Sequence, residues 1–249
     1  MWTLLHGFTG SPESWSRVVD HADLEQAPLI PTLAGHGRGR QRSDVQSFEN
    51  EVTRLVPLAS KAEPPRLLCG YSMGARVALG LLGREPHLFD AALLIGVHPG
   101  LLDESTRAER REVDAARARL LREEGLEAFV ANWEELPLFA SQHDLSPQAL
   151  EHQRDIRLGH DPEGLARGLE VLGLAEMPDY RPALLSLKIP ITLMTGALDA
   201  KFSRIATVLA KENTHVEVEV VDGVGHNVVL EAPAAVAAAL KRVEEIVRG

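Results

Sequence analysis

Arg66-Leu67-Leu68-Cys69-Gly70-Tyr71-Ser72-Met73-Gly74-Ala75-Arg76 is the stretch that decides the fold. Arg66 to Gly70 predicts a short buried central strand, and about Gly74 to Leu82 predicts a helix. Between them, Gly70-Tyr71-Ser72-Met73-Gly74 matches G-x-S-x-G. In that pattern the flanking glycines let the chain turn sharply from strand to helix while the serine projects above a sheet.

Outward from this turn, short apolar runs alternate with helix-length segments, which predicts a mostly parallel sheet with helices on both faces. Upstream the expected strands are Trp2-Thr3-Leu4-Leu5 and a weaker one at Ala27-Pro28-Leu29-Ile30. Between these two strands a helix is expected to begin near Pro12 with Ser11 as its N-cap, and residues 47–62 form a further expected helix. Downstream, strands are expected over Ala91–Gly96, Ile191–Gly196 and Val216–Val221, and a helix over about Ala232–Val247. The stretch from Pro99 to Pro178 is rich in Arg, Glu, Leu and Ala, with helical periodicity and no convincing strand. It is expected to be a helical cap (99–178) inserted into a single 1–249 domain whose core is 1–98 and 179–249.

A serine hydroxyl becomes reactive when a neighbour takes its proton, and histidine is suited to that near neutral pH. His226 follows the last expected strand in Asp222-Gly223-Val224-Gly225-His226, and Asp199 follows the strand before it. Ser72, Asp199 and His226 all fall at carboxyl ends of expected strands, where open parallel sheets bind ligands. Asp199 would hold the imidazole in one tautomer. The backbone N–H groups of Met73 and Phe8 are candidate donors to a developing oxyanion, with His6-Gly7 marking the second. Cys69, the single cysteine, is expected in the core.

Net charge is −10, which disfavours nucleic acid and anionic membrane surfaces as partners. No run is long and apolar enough to span a bilayer, and no basic segment with an apolar stretch opens the chain, so a cytoplasmic location is expected. His36, His98, His152 and His160 lack metal-ligand spacing, and no dinucleotide or P-loop fingerprint occurs. No metal, cofactor or obligate protein partner is therefore expected. The charged run from Arg107 to Glu124 has the pattern of a solvated helix face.

The order serine, acid, histidine is that of α/β hydrolases, and the whole chain resembles that superfamily. More narrowly it resembles the 2-succinyl-6-hydroxy-2,4-cyclohexadiene-1-carboxylate synthases of menaquinone biosynthesis. The resemblance is carried by Leu5-His6-Gly7-Phe8-Thr9-Gly10, Leu33-Ala34-Gly35-His36-Gly37 and the serine turn. His98-Pro99-Gly100-Leu101, Arg107-Ala108-Glu109-Arg110, Trp133 and Pro137-Leu138-Phe139-Ala140-Ser141 are more discriminating, because caps diverge freely. Asp199-Ala200-Lys201-Phe202 and Gly225-His226-Asn227 complete it. Met73 and Ala75 stand where family members more often have leucine and glycine.

The resemblance implies an α/β-hydrolase fold and a lyase. Pyruvate would be eliminated from 2-succinyl-5-enolpyruvyl-6-hydroxy-3-cyclohexene-1-carboxylate, with Ser72 as base. It further implies that Arg76, Arg110 and Arg154 bind the carboxylates of an anionic substrate, and that Tyr71, Trp133 and Lys201 line the pocket. A serine carboxylesterase or thioesterase, and a non-enzymatic binding protein on the same scaffold, are the alternatives.

Overall fold

The computed structural model describes residues 1–38 and 45–249. Five parallel strands form one sheet in the order of the chain: β1 (Trp2–Leu5), β2 (Leu67–Tyr71), β3 (Ala91–Ile95), β4 (Ile191–Gly196) and β5 (Val216–Val221). Register is set residue by residue, with Leu5 opposite Gly70, Tyr71 opposite Ile95, and Ile95 opposite Met194. The carboxyl ends of the strands therefore stand level on one edge.

Both faces of the sheet are covered, which is why the inner strands are apolar without alternation. Leu68, Ala92, Leu94 and Leu193 point into a core closed by α2 (Phe48–Ala59), α3 (Met73–Arg84), α8 (Arg181–Ser186) and α9 (Ala200–Glu212). Leu67, Cys69, Leu93 and Met194 point the other way, against α1 (Ser16–Ala22), α10 (Val228–Glu231) and α11 (Pro233–Arg248). Burial pushes the Cys69 thiol far above its ordinary range, in keeping with a core residue.

Two expected elements take a different form. The helix expected at Pro12 opens as a 3₁₀ turn, Pro12–Trp15, capped by Ser11, before α1 begins. Residues 27–30 make a single bridge, Thr3 to Leu29, on the edge of β1 away from β2. Pro28 and Pro31 flank Leu29 and lack the N–H groups a longer ladder needs.

Between β3 and β4 the chain forms α4 (Glu104–Glu123), α5 (Gly125–Glu134), a 3₁₀ turn at Pro137–Asp144, α6 (Pro147–Leu158) and α7 (Pro162–Leu172), then α8. Leu121, Phe129, Val130, Leu165 and Leu169 give α4, α5 and α7 a small core of their own, against which Phe8 and Trp133 pack. Among the described residues no helix is long and apolar enough to cross a membrane.

Candidate active site

Ser72 sits between β2 and α3 with φ +52°, ψ −109°, a strained conformation for a residue with a side chain. Its N–H donates to the Ile95 carbonyl at 2.8 Å and its own carbonyl accepts from the Arg76 N–H at 3.1 Å. Room for the turn exists because residues 70 and 74 are glycines. A β-carbon on Gly74 would lie 2.1 Å from the Leu5 carbonyl oxygen, and one on Gly70 would lie 2.5 Å from that of Gly74.

Three sequence-predicted residues meet here. The Ser72 hydroxyl lies 3.0 Å from His226 Nε2, and His226 Nδ1 lies 2.6 Å from Asp199 Oδ2. Asp199 caps α9, its Oδ1 accepting from the Phe202 N–H at 3.3 Å, so its two oxygens hold the helix start and the imidazole. Glu231 accepts from the Gly225 and Asn227 N–H groups at 2.7 and 3.1 Å, fixing the chain on both sides of His226. The ring is boxed by Phe202 and Tyr71, with centroids at 4.6 and 5.5 Å. Gly96, at φ +59°, passes so close that a β-carbon there would stand 2.9 Å from His226 Cε1.

Above the serine is a cavity of about 260 Å³, lined by Phe8 and Met73 at its base and by Trp133, Phe139, Leu169 and Leu174 on its walls. Met73 begins α3, so its N–H is at the positive end of that helix. Four cations line the cavity, Arg76, Arg110, Arg117 and Lys201, and among the described residues no aspartate or glutamate does. His98 also lines it. Burial and then Lys201 push its pKa down to about 3, so it is a neutral group at pH 7.

The cations are held from behind. Buried Asp114 takes Arg110 through two bonds, at 2.8 and 3.0 Å, and Arg117 at 3.3 Å. Arg76 donates to the Leu172 carbonyl at 2.7 Å, and burial followed by the nearby Arg110 lowers its pKa to about 9. Burial and then Arg110 also lower Arg117, whose guanidinium lies 5.1 Å from the Trp133 ring centre. Cations destabilised by burial and by one another form a site that gains from a bound anion.

A second pocket of about 30 Å³, room for one water, adjoins the first and shares Phe8, Tyr71, Trp133 and Phe139 with it. Arg157 enters there from α6, buried, 5.4 Å over the Phe139 ring, with its Nε and the Trp133 Nε1 lacking hydrogen-bond partners. Arg154 lines neither pocket; it is 41% exposed, and it shares Glu134 with Arg157, whose Nη1 lies 3.0 Å from that carboxylate. The helix explains the difference. Gln153, Ile156 and Arg157 share the buried face of α6, and Arg154 falls off it.

Tyr71, Arg76, Arg110, Trp133 and Lys201 line the cavity, and Arg154 does not. Arg117, Arg157, His98, Gly96 and Glu231 are additions. The Arg107–Glu124 run is only partly a solvated face, since Asp114 is buried in it and Arg110 and Arg117 turn inward. The one signal for this was an aspartate at i+4 from Arg110 and i−3 from Arg117. Among the described residues no group of three His, Cys, Asp or Glu side chains is placed to hold a metal.

The α/β hydrolase family model matches residues 4–239. The 2-succinyl-6-hydroxy-2,4-cyclohexadiene-1-carboxylate synthase of Enterobacter sp. (strain 638) is 35% identical over 244 residues, covering 96% of this chain and 89% of that protein. The solved structure of MenH from S. aureus superposes with a TM-score of 0.91 at 28% identity, over 100% of this chain and 94% of that one. A thermophilic esterase from Thermogutta terrifontis superposes at 0.82 with 23% identity, over 100% and 90%, a likeness of fold alone.

Proposed function

We propose that this chain, which belongs to the α/β-hydrolase family and within it to the 2-succinyl-6-hydroxy-2,4-cyclohexadiene-1-carboxylate synthases, eliminates pyruvate from 2-succinyl-5-enolpyruvyl-6-hydroxy-3-cyclohexene-1-carboxylate. The observation that carries this reading is the cavity over the serine, which among the described residues is lined by four cations and no carboxylate, in a protein of net charge −10. An ester pocket needs no such cluster. A substrate with three carboxylates does, and arginine is suited to it because it stays charged and binds carboxylate through two bonds.

Ser72 acts as the base. His226 takes its proton through the 3.0 Å contact, and Asp199 steadies the resulting imidazolium across 2.6 Å. The serine oxygen removes the proton from the ring carbon bearing the succinyl ketone. Electrons move through the ring double bond and expel the enolate of pyruvate, which takes the proton held on His226 and becomes pyruvate, leaving a conjugated diene and the restored triad. Negative charge that gathers on the ketone oxygen is received by the N–H groups of Met73 and Phe8. Arg76, Arg110, Arg117 and Lys201 hold the carboxylates, with Tyr71, Trp133 and Arg157 completing the surround. Residues 99–178 serve as a cap inserted into a single hydrolase domain with core 1–98 and 179–249, and they supply Arg110, Arg117 and Arg157.

The test uses purified protein and substrate made fresh by the preceding enzyme. Pyruvate release and the rise of diene absorbance are followed, with a p-nitrophenyl ester in parallel. Release of pyruvate with poor ester cleavage is expected. Ester cleavage with no acceleration of pyruvate release refutes the reading and makes the protein a serine esterase.

A further inference from the structure

Three buried histidines lie beneath the site without touching the cavity: His6, His36 and His160, with ring centroids 4.9 Å apart for the first pair and 5.5 Å for the second. Backbone partners fix the tautomer of each. His6 Nε2 accepts from the Leu33 N–H at 3.1 Å, so Nδ1 donates to the Gly7 carbonyl at 2.9 Å. His36 Nε2 accepts from the Thr9 N–H at 3.3 Å, so its Nδ1 donates to the Ala34 carbonyl at 3.0 Å. His160 is the reverse. Its Nδ1 accepts from the Gly37 N–H at 2.8 Å, and its Nε2 donates to the Thr9 carbonyl at 3.0 Å.

Thr9 is the residue that needs holding. The Gly10 N–H closes on the Gly7 carbonyl at 3.0 Å, making a four-residue turn with Phe8 and Thr9 at its centre, and Thr9 has φ +62°. A turn with positive φ at its third position favours glycine, and a β-branched residue there is strained by about 1–2 kcal/mol. The strain persists because both backbone polar groups of Thr9 are gripped by imidazoles. One of these, His36, belongs to the core. The other comes from the α6–α7 junction, where the Asp161 N–H also donates to the Gly37 carbonyl at 3.0 Å.

We propose that His160 is a positioning residue that ties the helical segment between β3 and β4 to the Phe8–Thr9 turn, so that the Phe8 N–H is aimed at the reacting oxygen only when that segment is docked. This rests on the reading of Phe8 as an oxyanion donor. The segment grips the turn twice, since the Phe8 ring also packs edge-on against Trp133 at 5.3 Å and Phe129 at 6.1 Å. Assembly of the donor pair is thereby coupled to closure of the cavity that carries the anion-binding side chains.

Three variants separate the two hydrogen bonds of His160. His160→Gln retains a donor where Nε2 stands, His160→Asn retains an acceptor where Nδ1 stands, and His160→Leu retains neither. Melting curves first establish that each is folded. The kcat for pyruvate release is expected to fall about tenfold or more in the Asn and Leu variants, within the 10²–10³ that outright loss of a donor costs, with KM changed less than about threefold. The Gln variant is expected to recover most of the rate.

Amide hydrogen exchange supplies a readout independent of turnover. Thr9 and Gly10 should exchange faster in the Asn and Leu variants and not in the Gln variant, whereas Gly37 should exchange faster in the Gln and Leu variants. Equal kcat in the Gln and Asn variants overturns the proposal, as does intact kcat alongside loosened Thr9 and Gly10 amides. Should the wild type release no pyruvate, the assigned reaction falls. Exchange then decides the tether alone, and unchanged Thr9 and Gly10 protection in the Leu variant overturns it.

Discussion

Gly96→Ala tests the triad geometry without touching any of its members. The new methyl group would stand 2.9 Å from His226 Cε1 and 3.3 Å from Nδ1, where ordinary contacts begin near 3.4 Å. Phe202 and Tyr71 flank the ring, so the imidazole must shift by roughly half an ångström rather than swing aside. Such a shift would carry the 3.0 Å contact to Ser72 to about 3.5 Å, beyond useful hydrogen-bond length. A displacement of this order can lower kcat about 10²-fold. Positive φ adds strain of about 1–2 kcal/mol, which for a chain of this size lowers Tm by about 2–8 °C. Gly125→Ala is the control, because it has φ +85° with nothing within 4 Å of its β-carbon. Coupled detection of pyruvate and a thermal melt should show both variants destabilised and only Gly96→Ala slowed. A Gly96→Ala enzyme with wild-type kcat would refute the argument that the observed Ser72–His226 contact is the reacting one.

The remaining predictions concern the anion site, stability and pH. Arg157→Met is expected to lower kcat/KM roughly ten- to a hundredfold, the loss of about 1.5–3 kcal/mol from a charge-assisted contact, while Arg154→Met stays within about twofold; steady-state kinetics on both decides which arginine serves. Glu51 is fully buried, accepts from the Ala34 N–H at 2.8 Å and pairs with Arg54 at 2.6 Å. Its replacement by alanine orphans the buried Ala34 N–H and leaves Arg54 with the Thr32 carbonyl alone, so about 3–5 kcal/mol and about 6–20 °C in Tm should be lost in a melting experiment. Acid sensitivity follows from neutral buried histidines. Burial sets His98 at about 3 and His36 well below its usual 6.5, so the unfolded chain binds protons that the folded one refuses. Stability is complete above about pH 6.5 and declines below it, His98 contributing a loss of about 2 kcal/mol at pH 5 and His36 adding to it in the same direction. Urea titrations at pH 7 and pH 5 measure the sum, and equal stability at the two values would contradict it.

Much of this architecture was legible because its signals are local. The Gly70–Gly74 turn, the apolar strands on either side and the residues after β4 and β5 place Ser72, Asp199 and His226 on one edge from sequence alone. The anion site was harder, since it depends on which face of a helix turns inward. Arg154 and Arg157 are chemically equivalent in sequence, and only the burial of α6 along Gln153, Ile156 and Arg157 separates them. Likewise Asp114 looks like one more charge in a solvated run until α4 is packed on α7, where it becomes the buried anchor of two cavity arginines. Gly96 was legible as the end of a strand, but its need to be glycine comes from a ring that arrives in space 130 residues later. His36 and His160 carried no spacing signal because their partners are backbone groups of distant loops.

Ser72 is the group on which the elimination of pyruvate turns. The most direct test is the rate of pyruvate release by Ser72→Ala beside the wild type, with intact-protein mass spectra recorded during turnover. A fall in kcat of about 10³-fold or more is expected, with no covalent adduct on the wild-type serine. Near-wild-type release by Ser72→Ala, or a substrate-derived adduct on Ser72 that forms and decays at the rate of turnover, would contradict it.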